Sequence, residues 1–131
     1  MKAVIGLGYV GFSTLVSIAR YENVIGVDTD IQKIDLIKNG KCPVKDELGE
    51  KILANNIKKI QLSYSIDNLP PNVDLFIICL PTNFDENDNQ FDTAVIDETI
   101  SSLQRRYPAV KILIKSTVPI GYCRKLNEKH N

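Results

Sequence analysis

The chain has 131 residues, 44% of them apolar, which suits one domain with a real core. Its 16 Lys and Arg balance its 16 Asp and Glu, so no net charge draws it to nucleic acid or to an anionic membrane. No apolar run approaches the roughly 20 residues that cross a bilayer, and the N-terminus lacks the form of a signal peptide, so the expected compartment is the cytoplasm.

Strand and helix patterns alternate from the first residue. Lys2 to Ile5 reads as a short apolar strand, and Tyr9 to Arg20 as a helix with Val10, Leu15, Ile18 and Ala19 on one side. Asn23 to Val27 is a second strand. Thr29 or Asp30 can cap the next helix, whose apolar residues are Ile31, Ile34 and Ile37 and which Asn39-Gly40 ends. Asp46 to Asn55 is a shorter amphipathic stretch carrying Leu48, Ile52 and Leu53, and Ile60 to Tyr64 is a weak third strand.

Asp74 to Leu80 is a continuous apolar run, as expected of a parallel strand covered on both faces. Pro81 stops it, and Asn83 to Asp92, dense in Asp and Asn, reads as an exposed loop. Asp92 or Thr93 caps a helix carrying Val95, Ile96, Ile100 and Leu103, which runs out at Tyr107-Pro108. Val110 to Ile114 is a fifth strand, and Pro119 fits the first turn of a last helix. The alternation implies an open parallel sheet between two helical layers, a doubly wound α/β fold with strand order 3-2-1-4-5 over residues 1–131. Five strands without a sixth read as a domain cut from something longer.

The first strand ends in Gly6-Leu7-Gly8-Tyr9-Val10-Gly11, a G-x-G-x-x-G between strand and helix. Gly6 permits the turn, Gly8 lets a pyrophosphate approach the backbone, and Gly11 lets the helix pack tightly. The amides opening the helix then point at the phosphates, with Tyr9 and Val10 in the same loop. Asp28 ends the next strand, about 20 residues downstream, where a carboxylate accepts from the ribose hydroxyls. The combination is the dinucleotide fingerprint of a Rossmann domain. The carboxylate repels the 2′-phosphate of NADP and no arginine follows it, so the expected cofactor is NAD. Lys33 could reach the adenosine side, although its spacing alone favours an ordinary solvated lysine.

Ligands in such sheets lie across the carboxyl ends of the strands. Leu80-Pro81-Thr82 and Lys115-Ser116-Thr117 fall there, each placing a threonine where the nicotinamide half belongs, as a cofactor contact or merely as a turn cap. Cys42, Cys79 and Cys123 have no metal or disulfide spacing, and Cys79 reads as a buried small hydrophobe. His130, the one histidine, is expected to be exposed and idle, and no metal site is expected.

These segments resemble the N-terminal domain of the UDP-glucose/GDP-mannose dehydrogenase family. The matching pieces are AVIGLGYVG (3–11), VIGVD (24–28), NGKCP (39–43), LPT (80–82) and IKSTVP (114–119). The pairing of GLGYVG with KSTVP is far more specific than the glycine loop alone, and residues 83–92 with the following helix look most like the bacterial UDP-glucose 6-dehydrogenase branch. The resemblance implies oxidation of a sugar nucleotide's C6 alcohol to a carboxylate with two NAD, through a thiohemiacetal on a cysteine. It implies NAD contacts at Val10, Asp28, Lys33, Thr82 and Thr117, with Thr117 also helping to position a water by the reacting carbon. Phe12-Ser13 stands where many members have Leu-Pro or Leu-Ser, a difference of packing.

None of the three cysteines matches the family nucleophile, and the motifs around that cysteine, the catalytic lysine and the asparagine are absent. The expectation is therefore the cofactor domain of UDP-glucose 6-dehydrogenase, inactive alone, with UDP-glucose as substrate and a homo-oligomer formed by the full-length protein. UDP-N-acetylmannosamine or GDP-mannose dehydrogenase is the nearest alternative. A non-catalytic NAD(H)-sensing domain of a potassium transport system is the rival from another class, though a sensor has no need of hydroxyls beside the nicotinamide.

Overall fold

In a computed structural model, residues 1–86 and 90–130 are described. Five parallel strands form the main sheet: β1 (Lys2–Ile5), β2 (Val24–Val27), β3 (Ile60–Ser63), β4 (Leu75–Ile78) and β7 (Lys111–Ile114). Their order is β3-β2-β1-β4-β7, which is 3-2-1-4-5 counted within the sheet. All four pairings are parallel, with Ile5 opposite Val27 and Ile78, and Ile78 opposite Ile114. The strand ends are therefore level, and the loops leaving them open on one common edge.

Side chains alternate across this sheet and feed two cores. Ala3, Ile5, Ile25, Val27, Phe76 and Ile78 join α4 (Ala94–Arg106) and α5 (Tyr122–His130) on one face. Val4, Val24 and Ile77 face α1 (Tyr9–Ala19), α2 (Ile31–Lys38) and α3 (Glu47–Asn56) on the other. The three layers follow from β1, β2 and β4, which are apolar at nearly every position because both faces are covered. The sheet loses cover towards β7, where Lys111 and Leu113 are exposed.

The caps resolve alternatives left by the sequence. Asp30, not Thr29, caps α2, its carboxylate accepting from the Gln32 and Lys33 amides. Thr93 occupies the cap position of α4, but its hydroxyl donates to Asp97, and Asp92 accepts from the Ala94 amide instead. Asp46 caps α3 by accepting from Gly49. Gly49 is buried where α3 rests on Phe12, the bulky residue in α1.

Four expectations are corrected. The loop after β4 contains a short antiparallel ribbon, β5 (Phe84–Asp85) and β6 (Gln90–Phe91), clasped by an edge-to-face Phe84–Phe91 pair 5.1 Å apart. Residues 87–89 of that loop, and the side chain of His130, fall outside the described part. Pro119 precedes the last helix rather than opening it, because Gly121 turns the chain at φ +83° and α5 begins at Tyr122. Val10, Ile31, Leu48 and Val95, read as apolar-face residues, are exposed. Cys79 follows β4 instead of lying within it, and it is only half-buried.

Candidate functional site

A cleft of about 800 Å³ runs along the carboxyl ends of the strands. Gly6, Gly8, Tyr9 and Val10 line its centre, Asp28 and Lys33 one end, and Thr82 and Thr117 the other. Eight of the nine residues singled out in the sequence thus share one surface, although they come from four separate loops and helix starts. Gly11 is the exception: it is buried beneath the loop.

The three motif glycines stand in different surroundings. A Cβ on Gly11 would sit 1.7 Å from the Gly6 carbonyl oxygen, so the first turn of α1 is seated directly on the loop. Gly6 has φ +87°, and a Cβ there would meet the Cys79 carbonyl at 2.7 Å. Gly8 differs, since a Cβ there would meet nothing within 4 Å. The fold therefore does not require glycine at position 8, whose backbone lies open to the cleft. This fits a pyrophosphate lying against the backbone at the start of α1.

At the β2 end, Asp28 is held rigidly. Its Oδ2 accepts from the Leu7 amide at 2.7 Å and its Oδ1 from the Asp30 amide at 2.9 Å. The side chain is only 9% exposed, and Lys33 Nζ stands 3.4 Å from Oδ2. Asp28 therefore ties the glycine loop to β2 and borders the cleft. At the other end, the loop after β7 is stitched to β4. The Lys115 amide donates to the Ile78 carbonyl at 2.8 Å, and the Ser116 hydroxyl to the Leu80 carbonyl at 2.6 Å. These bonds bring Thr82, half-buried, and Thr117, exposed, to the same cleft wall.

The model matching residues 1–130 is the NAD-binding domain of the UDP-glucose/GDP-mannose dehydrogenase family. The chain belongs to this family. It is 39% identical over its whole length to UDP-glucose 6-dehydrogenase of Campylobacter jejuni, and 38% identical over 98% of its length to that of Streptococcus pneumoniae. A UDP-N-acetyl-D-mannosamine dehydrogenase of Methanococcus maripaludis is 32% identical over 98%. The chain spans 34%, 33% and 31% of these relatives, about a third of each. Among solved structures, UDP-N-acetyl-mannosamine dehydrogenase of Staphylococcus aureus matches 98% of this chain and 32% of its own, with TM-score 0.82 and 25% identity. GDP-mannose dehydrogenase of Pseudomonas aeruginosa covers the same shares, with TM-score 0.79 and 26% identity. The family domain is an NAD-binding one, so NAD is the cofactor of this domain.

The structure adds residues that the sequence reading missed. Ser65 and Ile66, after β3, line the Asp28 end, and Val95 and Thr99 of α4 enter the wall as well. Val95 and Thr99 lie four apart, beside the buried Ile96–Ile100 stripe. A valine and a threonine one helical turn apart, at the edge of an apolar stripe, were the available signal. Cys79 also lines the cleft, where burial raises its thiol pKa against the opposing pull of Lys115 and a hydrogen bond with Thr14. A thiol held protonated is a poor nucleophile, which agrees with its failure to match the family's reactive cysteine.

A larger hollow of about 960 Å³ lies at the opposite, amino-terminal end of the strands, near Lys2, Asp74 and Lys111. Several of its polar groups are already engaged: Asp74 by the N-terminal ammonium at 3.1 Å, Lys2 by Glu22, and Arg106 by the Asp67 carbonyl. Size alone does not make it the site. Among the described residues, no helix is long and apolar enough to cross a membrane, and no group of three metal-ligating side chains occurs.

Proposed function

We propose that this chain is the cofactor-binding third of a UDP-glucose 6-dehydrogenase. The longer protein would convert UDP-glucose, two NAD and water to UDP-glucuronate and two NADH. The observation that carries this reading is the 39% identity, over the whole chain, to a protein bearing that name. Asp28 would accept from the adenosine ribose, with Lys33 beside it, and the Gly8 backbone and the amides opening α1 at Tyr9 and Val10 would hold the pyrophosphate. Gly6 and Gly11 would support that cradle from below. Thr82 and Thr117 would orient the nicotinamide, and Thr117 would also position a water near the reacting carbon. The bound cofactor supplies the hydride acceptor; these residues bind, orient and hold water. No nucleophilic thiol is proposed within this chain.

The test has two parts. Calorimetry on this chain should show NAD binding tighter than NADP binding. The longer protein should form two NADH per UDP-glucose and migrate as a homo-oligomer on size exclusion. Turnover of UDP-N-acetylmannosamine or GDP-mannose in place of UDP-glucose would reassign the substrate. NAD binding with no turnover of any sugar nucleotide would favour a sensing role.

A further inference from the structure

We propose that Tyr122 is a positioning residue for the cofactor: through Asp97 it fixes the loop carrying Thr117 against α4, and so sets where the Thr117 hydroxyl stands in the cleft. The inference rests on the nicotinamide lying at Thr117, as read under Proposed function.

Thr117 stands on the least supported part of the cleft wall. β7 lies at the edge of the main sheet with Lys111 and Leu113 exposed, and from Lys115 to Gly121 the chain forms neither strand nor helix. Ile120 is wholly exposed, and Gly121 turns at φ +83°. Packing alone gives such a segment little order. Among the described residues, its hydrogen bonds to other elements fall at two places. Ahead of Thr117, the Lys115 amide and the Ser116 hydroxyl hold the chain to Ile78 and Leu80. Behind it, the Tyr122 hydroxyl donates to Asp97 Oδ1 at 2.7 Å. Thr117 is slung between these two fixings.

The rear fixing also joins two walls of the cleft. Asp97 is in the first turn of α4, between Val95 and Thr99 in sequence, and both of those residues line the cleft. Its Oδ2 accepts from the Thr93 hydroxyl at 3.0 Å, so the carboxylate is already oriented where Tyr122 meets it. Tyr122 is not itself a lining residue. With Val118 it packs against the core that holds Ile96 and Ile100. Burial, and then the Asp97 carboxylate, push the Tyr122 phenol pKa up, so the hydroxyl keeps its proton and donates. A hydrogen bond to an ionised acceptor is among the stronger ones, which suits a single bond to holding a loop.

Calorimetric titration of this chain with NAD and with ADP-ribose tests the assignment, with circular dichroism and thermal melting checking the fold of each form. Tyr122→Phe keeps the ring and its packing and removes only the bond. NAD affinity should fall about threefold, while ADP-ribose, which has no nicotinamide, should bind as it does to the natural chain. Asp97→Ala removes the same bond from the α4 side and should give the same selective loss, so the test stands if either variant fails to fold. Thr117→Val should weaken NAD to a similar degree, and adding Tyr122→Phe to it should cost little more, because both act on one contact. Equal weakening of NAD and ADP-ribose would overturn the proposal, as would a lowered melting temperature with both affinities unchanged. Losses from Tyr122→Phe and Thr117→Val that multiply in the double variant would overturn it too, since Tyr122 would then act elsewhere. If Thr117→Val leaves NAD affinity unchanged, the nicotinamide reading fails and takes this inference with it. If Thr117→Val weakens NAD and Tyr122→Phe does not, only this inference fails.

Discussion

The two ends of the cleft are built differently. At the Asp28 end the protein makes its own bonds in advance: two backbone amides and one ammonium address a single carboxylate. At the threonine end the stitching is one step removed. Ser116 and Lys115 fasten the loop to β4, while among the described residues Thr82 and Thr117 keep their hydroxyls unbonded. The layer beneath follows the same gradient, from the fully buried β2 to the half-exposed β7. A preassembled end suits binding, because little order is lost when the ligand arrives. An end with free hydroxyls suits a contact that the ligand itself completes.

This contrast can be broken at several points. The most damaging change should be Gly11→Ala, whose methyl group has no room beside the Gly6 carbonyl. It should cost about 3 kcal/mol or more and leave little folded protein by thermal melting. A melt like that of the natural chain would mean the loop and α1 can separate. Next, Asp28→Asn should weaken NAD by about 1–3 kcal/mol by calorimetry, and should weaken ADP-ribose equally, since both carry the same adenosine ribose. A loss confined to NAD would place the ribose elsewhere.

Smaller still, Thr82→Val and Thr117→Val should each cost NAD no more than about 1 kcal/mol and leave ADP-ribose untouched. A loss shared by ADP-ribose would show that this end of the cleft is not the nicotinamide end. The mildest probe is chemical. Cys123 is exposed and Cys79 half-buried with a raised pKa, so iodoacetamide should label Cys123 first at neutral pH. Its slow labelling of Cys79 should quicken as pH rises, because the thiolate is the reacting form, and should be slowed by NAD. Cys79 labelling indifferent to NAD would argue against a cofactor in this cleft.

Much of this was legible in the sequence because local and tertiary signals agreed. Strand patterns, the G-x-G-x-x-G and Asp28 gave the sheet order and one end of the site. The illegible parts have physical causes. Val10 and Val95 look like core residues, but they sit where the helices rise past the edge of the sheet and no layer covers them. The Phe84–Phe91 ribbon is hidden in a run of Asp and Asn, whose turn preference outweighs two isolated aromatics. Pro119 suits a helix start, and only the left-handed Gly121 delays it. Ser65 and Ile66 reach the cleft through chain folding, which no local pattern reports.

Cys79 has a wider consequence. Its carbonyl lies against Gly6 and its Cβ would stand 3.2 Å from a methyl on Gly11, while its side chain borders the cleft. The glycine loop and the cleft therefore meet at this one residue, which puts a ceiling on its volume. Serine or alanine fits under that ceiling. A valine or leucine would press on the glycine turn behind it and into the cleft in front.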